Sequence, residues 1–188
     1  LARYAVISIA LSHMVMVSVM SMTPVHMQDM GYDIVVVGFT ISLHIAGMYA
    51  LSPVMGILAD KVGKVRMIIF GQLTYLAALC TAGFGSENRW AVTIGLALLG
   101  LGWSASTVSG SALLSSVLPP NEKTNVQGLS DSLMNLSGAV GGALAGSVVA
   151  IFAFGGLNNF ALLPVTVISV LSILVYKRAN EFQAAAAK

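Results

Sequence analysis

The sequence predicts an all-α membrane protein, and three observations carry that prediction. First, the 188 residues are 57% hydrophobic and only 9% charged, with mean hydropathy +0.89. A soluble domain averages about 45–50% apolar and about 25% charged residues, so this chain has too few charges to coat a water-exposed surface. Second, the apolar runs approach the roughly 20 residues that a helix needs to cross a bilayer. Third, Lys and Arg gather in alternate connections between those runs, the pattern of cytoplasmic loops. A net charge of +2 gives no case for nucleic-acid binding. The single cysteine, Cys80, excludes an intrachain disulfide and reads as a small buried hydrophobe.

Six spans are expected, over residues 4–22, 34–58, 66–84, 90–118, 126–154 and 157–176. The connections "TPVHMQDMGYD", "ADKVGKV", "GSENR", "LPPNEKTN" and "GGLNN" separate them. Their shortness favours antiparallel neighbours in one bundle, and the length of the second, fourth and fifth runs implies tilt. Arg3, Lys61, Lys64, Arg66, Lys123, Lys177 and Arg178 fall on one side, against Arg89 on the other. That side is expected to be cytoplasmic, with both termini on it. Three spans are an odd number, so a second group of three would be inverted relative to the first, a 3+3 inverted repeat. The bundle is assigned to residues 1–180. The chain starts at Leu1 with no signal peptide before the first run, and it reads as one piece of a longer protein. Residues 181–188, "EFQAAAAK", read as a tail or a cloning scar.

The densest charge lies in "GILADKVGKVRM", where Asp60, Lys61, Lys64 and Arg66 occupy seven residues between the second and third spans. Gly56 would let its helix approach a neighbour closely. Gly63 would supply a tight turn with positive φ. Asp60 would suit a helix N-terminus, where free N–H groups favour an anion, and the basic residues would hold the loop at the headgroups. A plain topological anchor explains the Lys and Arg but leaves Asp60 and the two glycines without a role. The spacing Gly56, Asp60, Lys61, Gly63, Lys64 resembles the loop motif of the major facilitator superfamily, with Val65 at the second basic position and Arg66 one place late. "SLHIAGMYALSPVMGILADKVGK", "LLGLGWSASTVSGSALLSSVLPPNEKTNVQGLSDSL" and "FGGLNNFALLP" are similar to segments of the C-terminal six-helix half of bacterial members. The resemblance implies one half of a secondary active transporter in the bacterial cytoplasmic membrane, working by alternating access. It implies a small-molecule substrate, the bilayer and a second six-helix half as partners, and no cofactor.

Ionisable residues inside spans are costly and are functional candidates for that reason. Gln127, Asp131 and Asn135 recur every four residues and form a polar stripe. Asp131 is either a proton-coupling carboxylate or a hydrogen-bonding node near the cytoplasmic surface. His13 and His44 are either proton or substrate contacts or neutral histidines bonded to neighbouring helices. In the resembling family the first and fourth helices of each half line the cavity, which points to His13. On the fourth span Trp103, Ser104 and Thr107 place an aromatic ring and hydroxyls about one turn apart, either a substrate face or helix packing. Ser109, Gly110 and Ser111 read as packing, and so do Gly138, Gly142 and Gly146, a small-residue groove at four-residue spacing. Pro53 and Pro164 are expected to kink their spans. His26, Asp29 and Asp33 read as a solvated external loop and not as a metal site. The methionines are gap fillers that would also suit a lipophilic substrate.

Two other classes compete with this reading. An intramembrane serine protease of rhomboid type needs Gly-x-Ser-Gly and a late histidine, but "TVSG" puts Thr107 at the glycine and residues 157–176 hold no His. A non-transporting six-helix scaffold acting as a homodimer is the alternative to the transporter half. Without a charged cluster in the cavity, the substrate is expected to be neutral or lipophilic and the direction export, coupled to protons.

Overall fold

Inside a bilayer every backbone N–H and C=O must be bonded within the chain, and the apolar runs meet that demand as helices. The computed structural model describes residues 1–186. Among them α1 (Ala2–Asp29), α2 (Ile34–Tyr49), α3 (Ser52–Val62), α4 (Lys64–Phe84), α5 (Arg89–Val117) and α6 (Lys123–Ala186) follow in order, with no strand. Of the expected tail, residues 181–186 continue α6, and 187–188 lie outside the described residues.

Local chemistry sets the breaks. The Asp33 carboxylate caps α2 by accepting from the backbone N–H of Val35 at 2.7 Å, and the Asn88 side chain caps α5 by accepting from Trp90 at 2.9 Å. Gly63, at φ 112° and ψ 135°, alone separates α3 from α4, and only glycine adopts that conformation without strain. Pro53 stands in the first turn of α3, where its missing N–H leaves no bond unmade. The expected second span is therefore two helices divided at Ala50 and Leu51, which still form one apolar stretch over Ile34–Val62. The first expected connection is mostly helix, because α1 runs on through Thr23 to Asp29.

Among the described residues five apolar helical stretches, and not the expected six, are long enough to cross a membrane. The difference arises at "GGLNN", which is helical and not a turn. α6 consists of two arms, residues 123–152 and 154–186, that meet at Ala153 with φ 58° and ψ −179°. Gly138 and Gly142 of the first arm meet His13 and Val17 of α1 in the same order. On the second arm Phe154 stacks on His26 and Ser172 meets Tyr4, in the opposite order. The chain therefore reverses at a single residue.

Two large apolar layers and a smaller cluster of Met55, Ala59, Met67 and Ala105 fill the bundle. One layer holds Met27, Val37, Ala82, Val92 and Phe154, and the other holds Tyr4, Val65, Leu113, Ile168 and Ala179. The second layer lies at the end where the basic residues collect. There the Arg66 Nε–H donates to Tyr176 Oη at 2.8 Å. Polar clasps tie the centre: the Gln72 amide of α4 donates to Ser106 Oγ of α5 at 2.9 Å and to Ser12 Oγ of α1 at 3.4 Å. Tyr75 Oη donates to the Ser12 carbonyl at 2.8 Å. Such bonds suit a lipid-embedded core, where apolar burial gives helices little reason to associate.

Candidate functional site

The α2–α5 seam shows what the buried polar groups of these helices do. Thr40 meets Thr93 at 2.8 Å, the His44 Nδ1–H donates to the Leu96 carbonyl at 2.7 Å, and Ser52 meets Ser104 at 2.9 Å. These contacts step along α2, α3 and α5 in register. His44 is fully buried among them, against Gly100, whose lack of a side chain leaves room for the His44 carbonyl and ring. The Nδ1 bond ties the imidazole to the backbone of α5. Its Nε2 has no partner. Thr40, Ser52 and Thr93 do not stand out in the sequence, because hydroxyls scattered through apolar runs show no partner until the helices are aligned.

His13 has a different setting. The Trp103 indole N–H donates to His13 Nδ1 at 3.0 Å, joining α5 to α1. The rings lie 6.1 Å apart at 52°. Tyr49, the last residue of α2, meets Trp103 edge-on at 5.8 Å. Gly138 faces the imidazole so closely that a Cβ there would lie 2.6 Å from His13 Cδ2 and 3.0 Å from Nε2. His13, Trp103 and Gly138, chosen from the sequence for separate reasons, thus form one cluster. Thr107 stands one turn from Trp103 on α5, and its hydroxyl is buried without a partner. Tyr49 does not stand out in the sequence; Pro53, four residues on, is the available signal of a nearby break.

Asp131 and Asn135 lie elsewhere. Both are exposed on the first arm of α6, and the Asn135 amide donates to the Asp131 backbone carbonyl at 2.8 Å. Asp131 joins Gln127, Lys123, Thr124, Ser111 and Ser115 around an open groove of about 630 Å³. Asp131 is seven residues from Gly138, or about 10 Å along the helix axis.

In the loop motif Asp60 pairs with Lys64 at 3.4 Å, with the Asp60 side chain 74% exposed. The structure gives α4 no side-chain cap. Lys61 is exposed. A Cβ at Gly56 would meet Val108 Cγ1 at an ordinary 3.8 Å, so this glycine makes no close approach here. On the first arm of α6 the tight positions are Gly138 and Gly141, Gly142 is looser, and Gly146 has nothing within 4 Å. At the other end of the bundle His26 stacks on Phe154 at 4.3 Å, and its Nε2–H donates to the Ser86 carbonyl at 2.7 Å. Asp33 caps α2. Among the described residues no three His, Cys, Asp or Glu side chains gather as metal ligands would.

Comparison with known proteins agrees with this architecture. The family model described as Major Facilitator Superfamily matches residues 5–187. The chain is 41% identical to YdeG and 40% identical to YddS of Bacillus subtilis (strain 168), both described as uncharacterized MFS-type transporters. Each match covers 84% of this chain and 38% of the relative. The chain thus spans less than half the length of these relatives. Among solved structures, the POT family transporter PepTSo superposes with a TM-score of 0.72 at 16% identity, over 95% of this chain and 38% of that one.

Proposed function

The chain belongs to the major facilitator superfamily, and we propose that it forms one six-helix half of a secondary active transporter that exports a small molecule in exchange for protons. The observation that carries this reading is the uncovered polar and small-residue stripe on α2 and the first arm of α6. Gly38, Ser42 and Ala46 are exposed on α2, and Gly128, Asp131 and Asn135 on α6. Lipid is a poor neighbour for such a stripe. A second six-helix half, with a water-filled path between the halves, would suit it. In this reading the two arms of α6 are separate crossings, the end bearing Lys61, Lys64, Arg66 and Lys123 is cytoplasmic, and the membrane is the bacterial inner membrane.

The halves rock about this seam. The loop at Asp60 and Gly63 acts as a cytoplasmic latch that forms and parts with that motion, and Arg66 anchors it to Tyr176. The cluster of His13, Trp103 and Tyr49 lines the cavity. Its aromatic surface favours a neutral or lipophilic substrate, and Asp131 stands in the cytoplasmic vestibule as a carrier of protons.

The test is dye efflux from proteoliposomes holding the full-length protein, with and without an imposed pH gradient. A gradient is expected to accelerate efflux of a lipophilic cationic dye, and Asp131→Asn to lower the gradient-driven part several-fold. Asp60→Asn is expected to slow flux several-fold with unchanged membrane insertion. Equal efflux with and without the gradient refutes proton exchange, and no flux at all favours the scaffold.

A further inference from the structure

The geometry points to the His13–Trp103 pair as a proton-operated switch between α1 and α5. The chemistry is a competition for one lone pair. A neutral imidazole carries a proton on one nitrogen and an acceptor lone pair on the other. Trp103 offers only a donor, its indole N–H, and that donor is aimed at His13 Nδ1 at 3.0 Å. His13 is therefore neutral here, with its proton on Nε2. A further proton can bind only at Nδ1, where it displaces the indole. Proton uptake and the α1–α5 bond exclude each other.

The surroundings give this competition mechanical reach. Trp103 is nine-tenths buried and touches Tyr49 at the break between α2 and α3. α3 leads directly to Asp60 and Gly63. His13 meets Gly138 on the first arm of α6. Loss of the indole bond is thus felt by α1, α5, the α2–α3 joint and α6 together. The titratable groups on the elements packed around the pair are Tyr49 against Trp103, Tyr75 of α4 on the Ser12 carbonyl, His44 of α2 at Leu96 and Asp131 two turns along α6. Of these, none bonds to His13 or to the Trp103 indole. In exchange transport, a view that rests on the reading above, the neutral pair presents a satisfied aromatic wall to a lipophilic substrate. The protonated pair presents an imidazolium and a free N–H, which expel that substrate.

The test reads Trp103 itself and needs no transport. The full-length protein is labelled with 5-fluorotryptophan, and its ¹⁹F spectrum is followed in detergent between about pH 5 and 8, where histidine changes charge. The Trp103 resonance is assigned by its loss in Trp103→Phe. It is expected to shift through a single-proton titration in the native protein and in His44→Asn, and to stay fixed in His13→Asn and His13→Gln. A Trp103 resonance that does not move with pH overturns the switch, and so does one that titrates unchanged without His13. A titrating resonance in a protein that moves no dye leaves the switch standing and removes the exchanger.

Discussion

Gly71→Val is expected to separate α4 from α5 and to lower the thermal stability of the protein more than any other single glycine replacement on that seam. A Cβ at residue 71 would collide with Ser106 Oγ and would lie 3.0 Å from both the Gly102 carbonyl oxygen and the Ser106 backbone nitrogen. Two of these three obstacles are backbone, which no rotamer change can move. Gly95 repeats the arrangement from the other helix, with a Cβ there 3.0 Å from the Ala78 carbonyl and the Ala82 nitrogen. The helices pack backbone to backbone, as small residues permit in membranes. Overpacking a tight core costs about 1–3 kcal/mol, occasionally more, and valine adds two further methyl groups to the clash. The same displacement pulls Ser106 from Gln72, leaving the buried amide without its 2.9 Å partner. The measurement is the unfolding midpoint in detergent, with Gly56→Ala as control, since a Cβ at Gly56 meets Val108 only at 3.8 Å. A Gly71→Val protein that melts with the control would show that the seam is looser than its geometry.

That contrast marks what the sequence could and could not reveal. Composition identified an all-helical membrane protein, because hydropathy acts residue by residue. The positive φ of Gly63 was legible for the same reason: a lone glycine between two apolar runs has few other uses. Gly56 and Gly71 look alike in sequence, and only the position of α5 decides which of them is crowded. His13 and His44 are also equivalent by pattern, each one ionisable residue in an apolar span. The structure separates them by their partners, a carbonyl acceptor for His44 and an indole donor for His13. Those partners lie 52 and 90 residues away in the chain, beyond any local signal. Asp131 was visible as an oddity, but its exposure depends on which face of α6 the bundle leaves uncovered.

The reversal at Ala153 was the least legible feature, and it yields the second large expected effect. Proline, asparagine or a glycine turn would announce a break, yet here the break falls on an alanine, two residues before the Gly155–Gly156 pair. A non-glycine residue at φ 58° and ψ −179° occupies a region nearly reserved for glycine, at about 1–3 kcal/mol of strain. The contacts that hold it are on the following turn. Phe154 is stacked on His26, and the Asn158 amide donates to the Phe154 carbonyl at 2.9 Å. Ala153→Gly removes the clash of Cβ with the backbone, at the expense of about 0.4–1 kcal/mol of added freedom in the unfolded chain. The net expectation is a gain of about 1 kcal/mol in stability. Ala153→Val goes the other way, because a β-branched residue at positive φ is a severe outlier. It is expected to lower the unfolding midpoint sharply and to weaken the packing of the second arm of α6 on α1. The two variants read against each other in one thermal series: opposite shifts tie the effect to φ, whereas equal losses would mean that the alanine methyl itself is needed for packing at the reversal.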